Sequence, residues 1–156
     1  MRPAMLLVAV AFSTAAPALL MAAPAVAADL SVAVGNVRNG HGLVRVAVCT
    51  RDTFTKSGCP FTASEPARPG QVTVTVRGIP PGTYAVQAYH DENENRQVDR
   101  NFFGLPEEGI GFSNDAPIRF GPPNFADAAL AIGDGAGTTA LNLRYFIESG
   151  NGSSGR

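Results

Sequence analysis

An all-β fold is predicted: an antiparallel β-sandwich of immunoglobulin-like or transthyretin-like type. Three observations predict it. Apolar and polar residues alternate one by one, turn-forming Gly and Pro separate the alternating runs, and helical periodicity is nearly absent. "DLSVAV" sets Leu30, Val32 and Val34 on one face. "LVRVAVC" turns Val44, Val46 and Val48 inward and Arg45, Ala47 and Cys49 outward. In "QVTVTVR", Val72, Val74 and Val76 oppose Gln71, Thr73, Thr75 and Arg77. "TYAVQAYH" continues with Tyr84, Val86 and Ala88 aligned, and "AALAI" and "TALNLRYFI" supply the last two strands.

Turn chemistry lies between these runs. Asn39-Gly40 in "VRNGHG" is a hairpin signal between the first two strands. "GIPPGTY" joins the third and fourth, its prolines fixing the backbone and Gly82 permitting positive φ, and "GDGAG" separates the last pair.

Residues 1–27 read as a signal peptide: Arg2, the apolar "AMLLVAVAF" and the small-residue "AVAA" place the cut after Ala27 or Ala28. Pro17 and Pro24 interrupt the apolar run, and no later stretch reaches a membrane span's length. One domain is expected over 28–148, followed by a small polar tail, 149–156, expected to be disordered. Location is expected to be periplasmic or extracellular. Beyond Arg2 there are 11 basic and 13 acidic residues, and the arginines are scattered, so nucleic-acid binding is set aside.

Cys49 and Cys59 are the only cysteines. An oxidising compartment favours a disulfide stapling the intervening loop to the outer face of the Val44–Val48 strand. Without Cys-x-x-Cys spacing, zinc and thioredoxin-like redox chemistry have little support.

From Asp91 to about Asn124 the alternation stops, except for "PIRF". Connections this long are uncommon in a compact domain. Phe102, Phe103, Leu105, Ile110, Phe112, Ile118 and Phe120 can bury surface, so an ordered excursion capping one end of the sandwich is expected. Seven of the 13 acidic residues lie between Asp91 and Asp115, offset by Arg96 and Arg100 alone.

Asp91, Asn93, Asn95 and Asp99 occupy positions 1, 3, 5 and 9 of an EF-hand-like loop, with the Gln97 carbonyl at position 7. Calcium takes six to eight such hard oxygens. Arg96 stands where the sharp turn calls for Gly, and Phe102 stands where a bidentate carboxylate belongs, so Glu107 or Glu108 would have to fold back as the closing ligand. A solvated Asx-rich turn and an active site are the competing readings of the same run.

The stretch Pro81 to Val86, His90 to Asn93, Asp99, Gly104 to Asn114 and Phe125 to Ala128 resembles the small exported bacterial family known as domain of unknown function 2141. The resemblance spans nearly the whole chain after the leader, and implies a prealbumin-like sandwich with no established activity. Members usually read Gly where this chain has Glu94 and Arg96, while the ligand-type side chains match.

Other chemistry is weaker. His90 beside Asp91, with loop carboxylates, would be the acid–base pair of a small hydrolase or lyase, yet it continues the inward Tyr84–Val86–Ala88 face. Ser113 lacks a nucleophile elbow, and "EEGIGFSN" lacks the lysine and helix of a phosphate loop. Phe102, Phe103 and Phe112 would form the contact surface of a ligand or polymer binder. The leading expectation is a non-enzymatic exported binding or envelope-structural module with its acidic loop ordered by calcium.

Overall fold

The computed structural model describes residues 26–147. The leader except its last two residues, Val26 and Ala27, lies outside them, as does the tail.

Two β-sheets face each other across a valine-rich core. One sheet holds β1 (Ala28–Val37), β4 (Gly70–Ile79) and β8 (Gly137–Asn142), in the order β4-β1-β8. The other is ordered β3-β2-β5-β6, from β2 (Leu43–Cys49), β3 (Phe61–Pro66), β5 (Gly82–Asp91) and β6 (Ile110–Phe112). Strand β7 (Ala129–Ile132) pairs the first half of β5, through Gly82–Ala85, and β6 pairs the second half, through Gln87–Tyr89. A one-turn helix, α1 (Phe125–Ala128), precedes β7.

The alternation expected from the sequence sets the core. Leu30, Val32 and Val34 of β1 and Val72, Val74 and Val76 of β4 share one buried cluster with Val44, Val46 and Val48 of β2 and Tyr84, Val86 and Ala88 of β5. Each fully buried Val contributes roughly 1.5–3 kcal/mol relative to leaving it in water, which is why period two decides the fold so firmly.

Several expectations are corrected. The Asn39-Gly40 turn joins no hairpin: β1 pairs with β4 and β8, while β2 pairs with β3 and β5, so this turn carries the chain from one sheet to the other. "GIPPGTY" and "GDGAG" make the same crossing, from β4 to β5 and from β7 to β8. One pairing is parallel, β1 with β8. "PIRF" forms no strand, whereas "FTASEP" forms β3 and "IGF" forms β6. Gly111 permits the latter, because a Cβ there would press on the Asn142 carbonyl oxygen at 2.6 Å.

Cys49 and Cys59 are disulfide-bonded, with Cα atoms 4.6 Å apart. The outward face of β2 is nonetheless not a solvent face. Cys49, Phe54, Ala85, Phe112, Ala116, Phe125 and Ala128 form a second buried cluster over it, with Phe54 edge-on to both Phe112 and Phe125. The long excursion thus covers the outer face of the five-stranded sheet. Phe102, Phe103, Leu105 and Phe120, expected to bury surface there, are exposed.

Candidate functional site

Strand β5 ends at Asp91, and the site is built on that end. Pairing of β2 with β5 sets Arg45 diagonally across from Asp91, two residues beyond the Leu43↔Asp91 register pair and on the same face. Arg45 Nε donates to Asp91 Oδ2 at 2.5 Å. The Asp91 side chain is wholly buried and that of Arg45 is 19% exposed. Gly42 makes room for this strand end: a Cβ on it would collide with the Asp91 carbonyl oxygen, and its φ of 65° suits Gly.

After Asp91 the chain turns tightly, with Glu94 at φ 60° and Arg96 at φ 66°. Arg96 therefore holds the left-handed conformation that the sequence pattern assigns to Gly, and its N–H donates to Asp91 Oδ2 at 3.0 Å. Asn93 Oδ1 accepts the Asn95 N–H, and Asn95 Oδ1 accepts the Gln97 N–H, so each turn is held by an Asx bond. Asn93 Nδ2 donates to Asp99 Oδ2 at 2.6 Å, and Asn95 Nδ2 reaches both Asp99 oxygens at 2.9 and 2.8 Å. The structure thus gathers Asn93, Asn95 and Asp99 into one exposed cluster.

The β5–β6 pairing brings a buried carboxylate to the same strand end. The His90 N–H donates to the Gly109 carbonyl at 2.9 Å, which brings Glu108 against the end of β5. Glu108 is 4% exposed, and its Oε1 accepts the Glu92 N–H at 3.2 Å. Burial raises the Glu108 carboxyl to about 7; hydrogen bonds from the Glu92 and Asp99 backbone oppose the shift, and the charges of Asp91 and Asp99 add to it. Glu107, the alternative closing ligand, points into solvent; its backbone N–H donates to the Asp99 carbonyl. Gln97 is exposed.

Two carboxylate oxygens in this neighbourhood, Asp91 Oδ1 and Glu108 Oε2, are buried without a hydrogen-bond partner. Such atoms are rare, because an unpaired buried polar group carries its full desolvation penalty. Among the described residues no three His, Cys, Asp or Glu side chains are grouped so that they could hold a metal ion. Any cation here would therefore draw on a mixed set, with Asn oxygens and backbone carbonyls completing the shell. Oxygen donors of this kind are hard ligands, the type that calcium takes.

His90 is fully buried. Its Nε2 donates to the His41 carbonyl at 2.7 Å, which leaves Nδ1 to accept from the Tyr145 hydroxyl at 2.9 Å. Both ring nitrogens are engaged, so the exposed ring that acid–base chemistry beside Asp91 would use is not formed. Arg38 secures the rim: it lies 4.4 Å over the Tyr145 ring and donates to Glu92 Oε1 at 2.6 Å. Ser113 Oγ is structural, accepting the Val86 N–H and donating to the Ala128 carbonyl. Sequence reasoning missed Arg45 as the partner of Asp91. Its outward place in a Val-rich strand was visible, but the strand pairing was not.

Fold and site together define an all-β sandwich with an oxygen-rich loop at one strand end. The chain belongs to the family described as "Uncharacterized protein conserved in bacteria (DUF2141)", which it matches over residues 32–140. No curated protein and no solved structure matches it. No helix among the described residues is long and apolar enough to cross a membrane.

Proposed function

We propose that this protein is an exported, non-enzymatic β-sandwich module whose acidic loop is clasped by calcium, and that it serves as a binding or structural component of the cell envelope. The observation that carries the calcium reading is the pair of buried, unpartnered oxygens, Asp91 Oδ1 and Glu108 Oε2, beside the Asn93–Asn95–Asp99 cluster. Asp91 and Glu108 would be side-chain ligands and Gln97 a carbonyl ligand, while Asn93, Asn95 and Asp99 would have to turn their oxygens toward the ion on binding, because the two Asn amide groups donate to Asp99. Export is supported by the leader-like residues 1–27 and by a disulfide of the kind that persists in oxidising compartments.

A cation would relieve the mutual repulsion of Asp91, Asp99 and Glu108 and tie the loop to the sandwich. Arg96 at a Gly position points to weak binding, in the range of about 0.1–1 mM seen for extracellular modules. Calorimetric titration of the protein with calcium, with thermal melts in calcium and in chelator, tests this. Binding heat and a Tm raised by calcium are expected, both lost in Asp91→Ala. Absence of heat and of any Tm shift at about millimolar calcium overturns the reading.

A further inference from the structure

Strand β4 offers the longest open edge among the described residues. It pairs with β1 on one side and with no strand on the other. A bare edge is a template for another strand, and folded proteins usually blunt it. The other outer strands here are blunted. Strand β3 ends in Pro66, and its Glu65, opposite Val44, turns a charge toward the core-side face. Strands β6 and β7 are three and four residues long. At the end of β8 the Asn142 N–H is taken by Asp115 Oδ1, and the Ile110↔Arg144 bridge ties the chain just beyond it to β6. Strand β4 has no such device between Val72 and Val76, where it reads Val-Thr-Val-Thr-Val without charge or proline.

That stretch is its own complement. Register shifts bound it on both sides, one between Val34↔Val72 and Val37↔Gly70, the other between Leu30↔Val76 and Ala28↔Ile79. The regular ladder between them runs from Val72 to Val76 and is symmetric about Val74. An antiparallel copy paired about Val74 sets Val72 against Val76 and Thr73 against Thr75. Directly opposed residues of an antiparallel pair share a face, so buried valines meet valines and the outer threonines meet threonines. Just outside the ladder, exposed Arg77 comes to stand opposite exposed, uncharged Gln71 at both ends. No like charges are opposed, and the backbone groups that β1 leaves unpaired gain a strand partner.

We infer that the β4 edge is a homodimer interface, in which two copies join antiparallel about a two-fold axis at Val74. The two three-stranded sheets become one of six strands. The contact is isologous, so it closes at two copies. No residue of it belongs to the proposed cation site, and the dimer is independent of the calcium reading.

The test is sedimentation velocity of the whole protein from about 1 μM to about 1 mM, with hydrogen exchange at both ends of that range. A monomer–dimer equilibrium is expected, with slower exchange in Val72–Val76 at the concentrations where the dimer forms. Residue 71 reads the register, because each substitution there acts twice in a two-fold pair. Gln71→Glu faces Arg77 and should tighten the dimer about fivefold, whereas Gln71→Lys faces it with like charge and should weaken the dimer about fivefold. Both changes lie at an exposed position, and association through any other surface would not answer to them. A monomer at every concentration would leave the edge to a different chain and overturns the inference. Self-association that is open-ended, or that responds equally to Glu and Lys at residue 71, overturns it as well.

Discussion

Arg45 and Asp91 form an ion pair across neighbouring strands that satisfies only half of the carboxylate. Arg45 Nε and the Arg96 N–H both donate to Oδ2, while Oδ1 is buried without a partner. A carboxylate at 0% exposure carries a large desolvation cost unless counter-charge lies near it, so Arg45 and a cation on Oδ1 would share one task.

Removing Arg45 should therefore be severe. Arg45→Ala leaves an uncompensated buried carboxylate, and a stability loss of about 3–5 kcal/mol is expected in chelator by urea denaturation. The loss should shrink in excess calcium, because the ion substitutes as counter-charge, and it should be partly recovered by adding Asp91→Asn. If Arg45→Ala is equally unstable in calcium and in chelator, the ion and the guanidinium do not act on the same carboxylate.

Arg96 predicts the opposite direction. Its φ of 66° strains a side chain by roughly 1–2 kcal/mol, whereas Gly adopts it freely and loses about 0.5–1 kcal/mol in unfolded-chain entropy. Arg96→Gly should therefore raise stability by about 0.5–1 kcal/mol, a Tm gain of roughly 2–6 °C, and tighten calcium binding by pre-forming the turn. Calorimetric scans of both proteins check the first, and titrations check the second. A lower Tm in both buffers would show that the Arg96 side chain, and not only its N–H, holds the loop.

The parts of this fold visible in the sequence are those set by periodicity. Val32, Val46, Val74 and Val86 announce their faces because a one-residue slip would turn each strand's apolar set into water. Which sheet a strand joins is not periodic information, so Asn39-Gly40 reads as a hairpin and proves to be a crossing between sheets. Strand β6 is three residues long, and nothing in "IGF" distinguishes it from loop until Tyr89 pairs with Ile110. That pairing also selects Glu108 over Glu107 as the buried carboxylate, a choice invisible in "PEEG". The Asp91–Asn93–Asn95–Asp99 spacing was legible, and the structure gathers the last three side chains, with the Asn amide nitrogens rather than their oxygens turned toward Asp99. Phe102 and Phe103 show the limit of hydrophobicity as a guide, since an apolar residue can be buried but is not obliged to be.

Glu108 makes stability depend on pH in a direction unusual for a carboxylate. Its folded value, raised to about 7 from 4.5 mainly by burial, means that the folded chain holds this proton more tightly than the unfolded chain. The contribution is fully present below the unfolded value and is lost as pH rises through the folded one, between about 4.5 and about 7. Its size is on the order of 3 kcal/mol. In chelator, Tm should therefore fall from about pH 5 to about pH 8 by more in the wild type than in Glu108→Gln, which carries no proton to lose. Calcium favours the ionised carboxylate and should flatten the wild-type profile. Parallel melts of the two proteins across that range decide the matter: identical slopes in chelator would mean that Glu108 titrates as a solvent-exposed residue does.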